Sequence, residues 1–183
     1  MNSKQLSLFV NNAPRKAYSA DDVSKIKVRK IEQALQYRYI QPNDFNSKLW
    51  LVYDIDRQTS PEQITDDLGL PAPHYFVQNT ANQHAHVFYG LETPVHLNPD
   101  SSQAARRFAA AVDVGMTLAL DADVGYGGLI AKNPTHAHWR VWSCAAERYE
   151  LNDLSEYVDL TAFNDRRKNL PEIGLGRNCI VFD

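Results

Sequence analysis

An α+β fold, with one mainly antiparallel sheet packed against helices as a two-layer sandwich, is what this sequence predicts, on three observations. Short strand-type runs recur at residues 48–55, 74–78 (HYFVQ), 85–90 (AHVFYG) and 140–143 (RVWS), bounded by turn residues as strands are. The NTANQ stretch at 79–83 joins two of them with turn chemistry, so they form a hairpin and pair antiparallel. The clearest amphipathic helix, in DSSQAARRFAAAVDVGMTLAL, follows the strands instead of alternating with them, which favours an α+β over an α/β arrangement.

Taken in order, residues 1–18 read as an irregular N-terminal arm. A helix is predicted from Lys27 to about Ile40, where Ile31, Ala34, Leu35 and Arg38 make a stripe that QPND closes. A strand at 48–55 follows. In SPEQITDDLGL, Ser60 is an N-cap, Pro61 suits the first helical position and Gln63 completes a capping box, so 61–68 reads as a short helix. After the hairpin, Asp100 or Ser101 can cap the long helix, whose Ala105, Phe108, Ala109, Val112 and Met116 recur at helical spacing. DADVGYGGLIAKNPTHAHW is too rich in Gly, Pro and His to be regular. The 140–143 strand and a short helix beginning near Asn152 complete the expected domain, 19–170. The abrupt apolar GLGRNCIVFD reads as the start of a truncated C-terminal region at 171–183.

With 183 residues and 44% hydrophobic content, one domain with a sizeable core is expected. The N-terminus has only a short apolar patch and no stretch is long enough to cross a bilayer, so a soluble, cytoplasmic protein without membrane partners is expected. Cys144 and Cys179 have no metal-ligand spacing and read as buried or semi-buried thiols. A net charge of −3 is unlike a basic nucleic-acid coat. Yet Arg15, Lys16, Lys25, Lys27, Arg29 and Lys30 cluster early, and Arg166, Arg167 and Lys168 late. Either group suits a phosphate track or a solvated face.

Two aspartates inside the apolar run LVYDIDR are the strongest chemical signal. Side chains alternate along a strand, so Asp54 and Asp56 share a face while Ile55 points into the core. Adjacent carboxylates repel unless a cation lies between them, and a hard divalent ion takes carboxylate oxygens; the bland reading is a strand end capping turn amides. His84 and His86 likewise share one face, which favours phosphate or metal contact over a structural role. Asp121 and Asp123 follow a helix, and AKNP at 131–134 supplies Lys132 and Asn133. Three carboxylates with a histidine and a lysine in one pocket suit two-metal nucleotidyl transfer.

The ordered blocks LVYDIDR, NQHAHVFYGLETPV, ADVGYGGLIAKNP, LNDLSEYVDL and GLGRN resemble the plasmid replicase branch of the archaeo-eukaryotic primase superfamily, the replication initiators of small colicin-type plasmids. The resemblance runs over nearly the whole chain from about residue 16. It implies an RRM-like primase-polymerase domain that makes a short RNA primer on a DNA template at the plasmid origin, from ribonucleoside triphosphates and with Mg²⁺ or Mn²⁺. It further implies that Asp54, Asp56 and Asp123 are catalytic metal ligands, that His86 contacts the triphosphate, and that His84, Lys132, Asn133 and Arg57 contribute nucleotide or template contacts. A monomer, with host DNA polymerase as a partner, is expected. Two positions depart from the pattern: His84 stands where a small residue belongs, and Ala122 is a weak hydrophobe before the third acid, which leaves Asp121 a rival to Asp123.

Three other readings compete. A rolling-circle nickase would use HAHVFY for metal and Tyr126 as nucleophile, but leaves DID unexplained. A DxD nucleotide-sugar transferase explains DID and not HAH. A non-catalytic origin-binding module would need none of the acids.

Overall fold

The computed structural model describes residues 3–145 and 147–163. Cys179, the Arg166–Lys168 cluster and the expected region 171–183 lie outside the described residues. In chain order the elements are α1 (Ser3–Asn12), β1 (Lys16–Ala20), β2 (Lys27–Lys30), α2 (Ile31–Ala34), β3 (Tyr39–Ile40), β4 (Ser47–Ile55), β5 (Tyr75–Gln78), β6 (Ala85–His96), α3 (Gln103–Ala119), β7 (Ala131–Lys132), β8 (Arg140–Ser143) and α4 (Leu151–Ser155). The α+β class and the antiparallel pairing are as expected. The single sheet is not: there are two four-stranded sheets, a larger one ordered β4-β6-β5-β8 and a smaller one ordered β2-β1-β3-β7.

Alternation in the larger sheet builds two cores. Leu51, Tyr53, Ile55, Val87 and Tyr89 face α3 and α4, meeting Val112, Met116, Leu120 and Leu154. Trp50, Tyr75, Val77 and Phe88 face the other way and meet Phe9 of α1, Ala17, Ile40 and Ala131. Such strands read as continuous apolar runs because both faces are covered, and each large side chain so buried contributes about 1.5–3 kcal/mol. Gly90 is directly opposite Trp50 across β4 and β6. A Cβ there would stand 2.8 Å from the indole ring, so the glycine makes room for the largest core side chain.

Several local expectations are corrected. The arm at 1–18 is not irregular: it supplies α1, whose Phe9 is fully buried, and most of β1. The helix at 27–40 shrinks to Ile31–Ala34 between two strands, because β1 offers an open edge on each side and pairs with both β2 and β3. Ser102, not Asp100 or Ser101, caps α3, its Oγ accepting from the Ala105 N–H at 3.3 Å; Ser101 Oγ instead donates to the His96 and Asn98 carbonyls. The short helix after Ser60 does carry its capping box, Ser60 N–H to Gln63 Oε1 at 3.0 Å and Gln63 N–H to Ser60 Oγ at 3.3 Å, though Gln63–Asp67 is wound as a π-helical turn. Cys144 is exposed, not buried. No helix among the described residues is long and apolar enough to cross a membrane.

Candidate active site

The pairing of β4 with β6 sets Asp54 directly opposite His86. His86 Nε2 stands 3.1 Å from Asp54 Oδ1, and the other ring nitrogen, Nδ1, accepts the backbone N–H of Lys132 at 3.0 Å. An amide can only donate, so Nδ1 carries no proton and the neutral ring bears its hydrogen on Nε2, toward Asp54. This imidazole also fastens the two sheets, since β6 belongs to the larger and β7 to the smaller. Lys132 in turn brings its Nζ to 3.7 Å from Asp54 Oδ1.

The third carboxylate arrives from the end of α3. Asp121 takes a left-handed conformation, φ 48°, and the Ala122 N–H reaches back to Thr117 O at 2.9 Å while the Asp121 N–H reaches Leu118 O at 3.0 Å. These are the two bonds of a Schellman motif, with an aspartate where glycine is commoner. Arg57 covers the remaining carbonyls, donating to Leu120 O and Asp121 O, both at 2.9 Å. Two residues after Asp121, Asp123 gives its N–H to Asp54 O at 2.8 Å and accepts from the Gly125 N–H on Oδ1, also 2.8 Å. Carboxylate oxygens of Asp54, Asp56 and Asp123 therefore lie within 4.8 Å of one another. Asp121 does not join them; its side chain is 86% exposed and lies 3.7 Å from Arg57.

Burial alone would push the Asp54 pKa up, but His86 and Lys132 outweigh it and hold the carboxyl below its ordinary range. Burial lowers His86 and Lys132, each partly countered by the charge of Asp54. The outcome is a carboxylate beside a neutral imidazole and a softened ammonium. The Lys132 contact is too long for a hydrogen bond and the His86 contact is not aligned as one, so that buried oxygen lacks a well-formed donor. A buried anionic oxygen short of donors, next to two further carboxylates, fits a hard divalent cation.

The other sequence candidates divide. His84 Nδ1 lies 3.2 Å from Asp56 Oδ1, at the exposed rim of the cluster. Arg57 is engaged with the end of α3, and Asn133 is fully buried with its amide saturated: Nδ2 donates to Leu35 O and Tyr37 O, and Oδ1 accepts from Thr135 N–H and Oγ1. That saturation leaves Asn133 no group for a phosphate. Tyr126, which the nickase reading needs as nucleophile, donates its hydroxyl to Ile130 O at 2.7 Å, and burial followed by the charge of Asp54 pushes its ionisation far up. Its ring packs on His86 at 5.1 Å. Tyr39, paired with Lys132 across β3 and β7, went unnoticed in the sequence because its segment reads as a helix.

A profile of the Replicase family matches residues 12–158. Among solved structures, the AEP domain of the Cyanophage S-2L Primase-Polymerase (PrimPol) superposes with a TM-score of 0.59 at 11% sequence identity, covering 86% of this chain and 98% of that one. Curated protein sequences give no match.

Proposed function

Because the chain belongs to the Replicase family and has the fold of an AEP primase-polymerase domain, we propose that it synthesises a short RNA primer on a DNA template by metal-dependent nucleotidyl transfer. A replication function of the primase-polymerase type follows from family and fold together. The finer reading is carried by one observation, the convergence of Asp54, Asp56 and Asp123 beside His86 and Lys132.

In the proposed reaction a terminal 3′-hydroxyl gives up its proton to water and its oxygen attacks the α-phosphorus of an incoming ribonucleoside triphosphate. A new P–O bond forms as the bond to pyrophosphate breaks, and the electron pair leaves on pyrophosphate. Asp54, Asp56 and Asp123 would hold Mg²⁺ or Mn²⁺, which when bound supplies the Lewis acidity that acidifies the hydroxyl and steadies the leaving group. His86 offers an Nε2–H toward the same pocket and Lys132 a positive charge, both suited to phosphate oxygens. Arg57 acts one step removed, fixing the turn that delivers Asp123. A plasmid origin as the template site, host DNA polymerase as successor on the primer, and a monomer in the cytoplasm belong to the same proposal. The engaged hydroxyl of Tyr126 disfavours the nickase reading.

The test is primer synthesis on single-stranded template with labelled ribonucleotides and Mg²⁺ or Mn²⁺. Short products from the parent and none from Asp54→Ala, Asp56→Ala or Asp123→Ala are expected. Undiminished products from all three variants would sink the assignment, as would a parent that neither makes product nor binds nucleotide in a metal-dependent way.

A further inference from the structure

The smaller sheet has an outward face that the acidic cluster leaves unused. Antiparallel partners share a face, as do residues two apart along a strand. The pairs Lys16↔Lys30, Tyr18↔Val28, Ala20↔Tyr39 and Tyr39↔Lys132 therefore put Lys16, Lys30, Tyr18, Val28, Ala20, Tyr39 and Lys132 on one side, open to solvent at the Lys16 and Lys30 end and buried at Ala20 and Lys132. The other side carries Ala17, Ile40 and Ala131, which pack toward the larger sheet. At one end of the first side, Lys132 Nζ reaches Asp54. At the other, Phe45 is 63% exposed and stands edge-on to Tyr18 at 5.9 Å, with Val28 53% exposed across from it.

Two features here break the rules of a purely structural sheet. Lys16 and Lys30 lie directly opposite one another, where like charges repel, and no acidic side chain pairs with either among the described residues. Lysines on an edge strand deter pairing with other chains, which accounts for Lys30 on β2. It does not account for Lys16 on the inner strand β1, nor for an exposed phenylalanine against Tyr18, the next residue along that face. Two cations on one face, with an exposed ring against the neighbouring residue of that face, are what a single strand needs: charge for its backbone and a platform for an unpaired base.

We propose that this outward face is a track for single-stranded nucleic acid, with Lys16 and Lys30 on backbone phosphates and Phe45 stacked on a base, leading the strand toward Lys132 and the acidic cluster. Two strand steps and four residues separate Lys16 from the level of Lys132, roughly 16 Å from strand geometry. That length accommodates about five stacked nucleotides. The direction of the track rests on the proposed polymerase site; the binding itself does not.

The experiment is fluorescence anisotropy of a labelled oligothymidylate with the full chain in EDTA, over a range of salt. The Lys16→Gln/Lys30→Gln double variant is expected to bind about tenfold more weakly at low salt, with a salt slope smaller by about 0.7 per lysine. Phe45→Ala is expected to lose roughly fivefold or more with the slope unchanged. Arg107→Glu, on the exposed surface of α3 and with the same net charge change as the double variant, is expected to bind like the parent. Melting temperatures equal to or above the parent's in the double variant exclude unfolding as the cause. Equal binding by parent and track variants, losses that follow net charge at Arg107 as well, tighter binding of a duplex of the same length, or no binding by the parent would each overturn the track. Asp54→Ala in the same assay separates the two readings: strand binding equal to the parent's supports the track whether or not the parent makes primers, and binding lost with the acid would overturn it.

Discussion

The two sheets are held together in different ways. The larger pairs strands of 9 and 12 residues, β4 and β6, and is stabilised by apolar side chains on both faces. In the smaller, β3 and β7 have 2 residues each, too few for a ladder to fix their register. Polar side chains take over that work. Gln41 accepts the Tyr18 N–H and donates to Asn43 O; Asn43 accepts from Leu49 and Trp50 and donates to Trp50 O, at the irregularity in β4. Asn133 clasps the turn at Leu35 and Tyr37, and Trp139 Nε1 donates to Arg38 O at 2.7 Å. A short sheet can thus be specified by amides that stand in for missing strand partners, and such bonds leave no periodic trace in the sequence.

The contrast can be broken or sharpened by substitution. The largest effect is expected where the sheets meet: Asp54→Ala should cut primer synthesis by about 100-fold or more, the scale of several kcal/mol of lost transition-state stabilisation, with an unchanged circular dichroism spectrum. In the smaller sheet, Asn133→Ala strands two carbonyls and the Thr135 donors and should cost about 4 kcal/mol in urea unfolding. The larger sheet has its own buried titratable group, His74, whose Nδ1 accepts the Gly90 N–H and whose pKa burial lowers from 6.5 to about 4. The folded state keeps it neutral while the unfolded chain takes up a proton, so its contribution is full above pH 6.5 and is lost as pH falls toward about 4, roughly 3 kcal/mol in all. His74→Gln should flatten stability against pH in that window; an unchanged slope would show that another group is responsible. Gly90→Ala, forced against Trp50, should cost about 2 kcal/mol by overpacking. The smallest change, Ser102→Ala at the start of α3, should cost about 1 kcal/mol, read as a small fall in melting temperature.

The same contrast explains what could be read in advance. Alternation in LVYDID, the hairpin across NTANQ, the Ser60–Gln63 box and the helical stripe of Phe108, Ala109, Val112 and Met116 all describe contacts local to one strand, turn or helix, and each is found in place, Ala105 of the expected stripe alone being exposed. Residues 27–40 misled because Ile31, Ala34 and Leu35 have helical spacing, while the decision was made elsewhere, by the open edges of β1. Of the site, Asp54, Asp56 and His86 were legible from strand parity. The choice of Asp123 over Asp121 was not, since it depends on a left-handed turn and on Arg57 reaching across to the end of α3. Arg57 itself reads in the sequence as a cation near the acids, and only the structure shows its guanidinium on helix carbonyls.

β7 joins the rest of its sheet through two residue pairs with β3, and the amide of Lys132 bonds to an imidazole instead of another backbone. Asp54 and His86 ride on the long β4–β6 ladder, so the site joins acids fixed by many backbone pairs to a cation whose strand has two. That cation is held by burial and by the side chains of His86 and Asn133 instead, so amide exchange at Ala131 and Lys132, set against that of β4, measures how firmly side chains alone fix one member of the site.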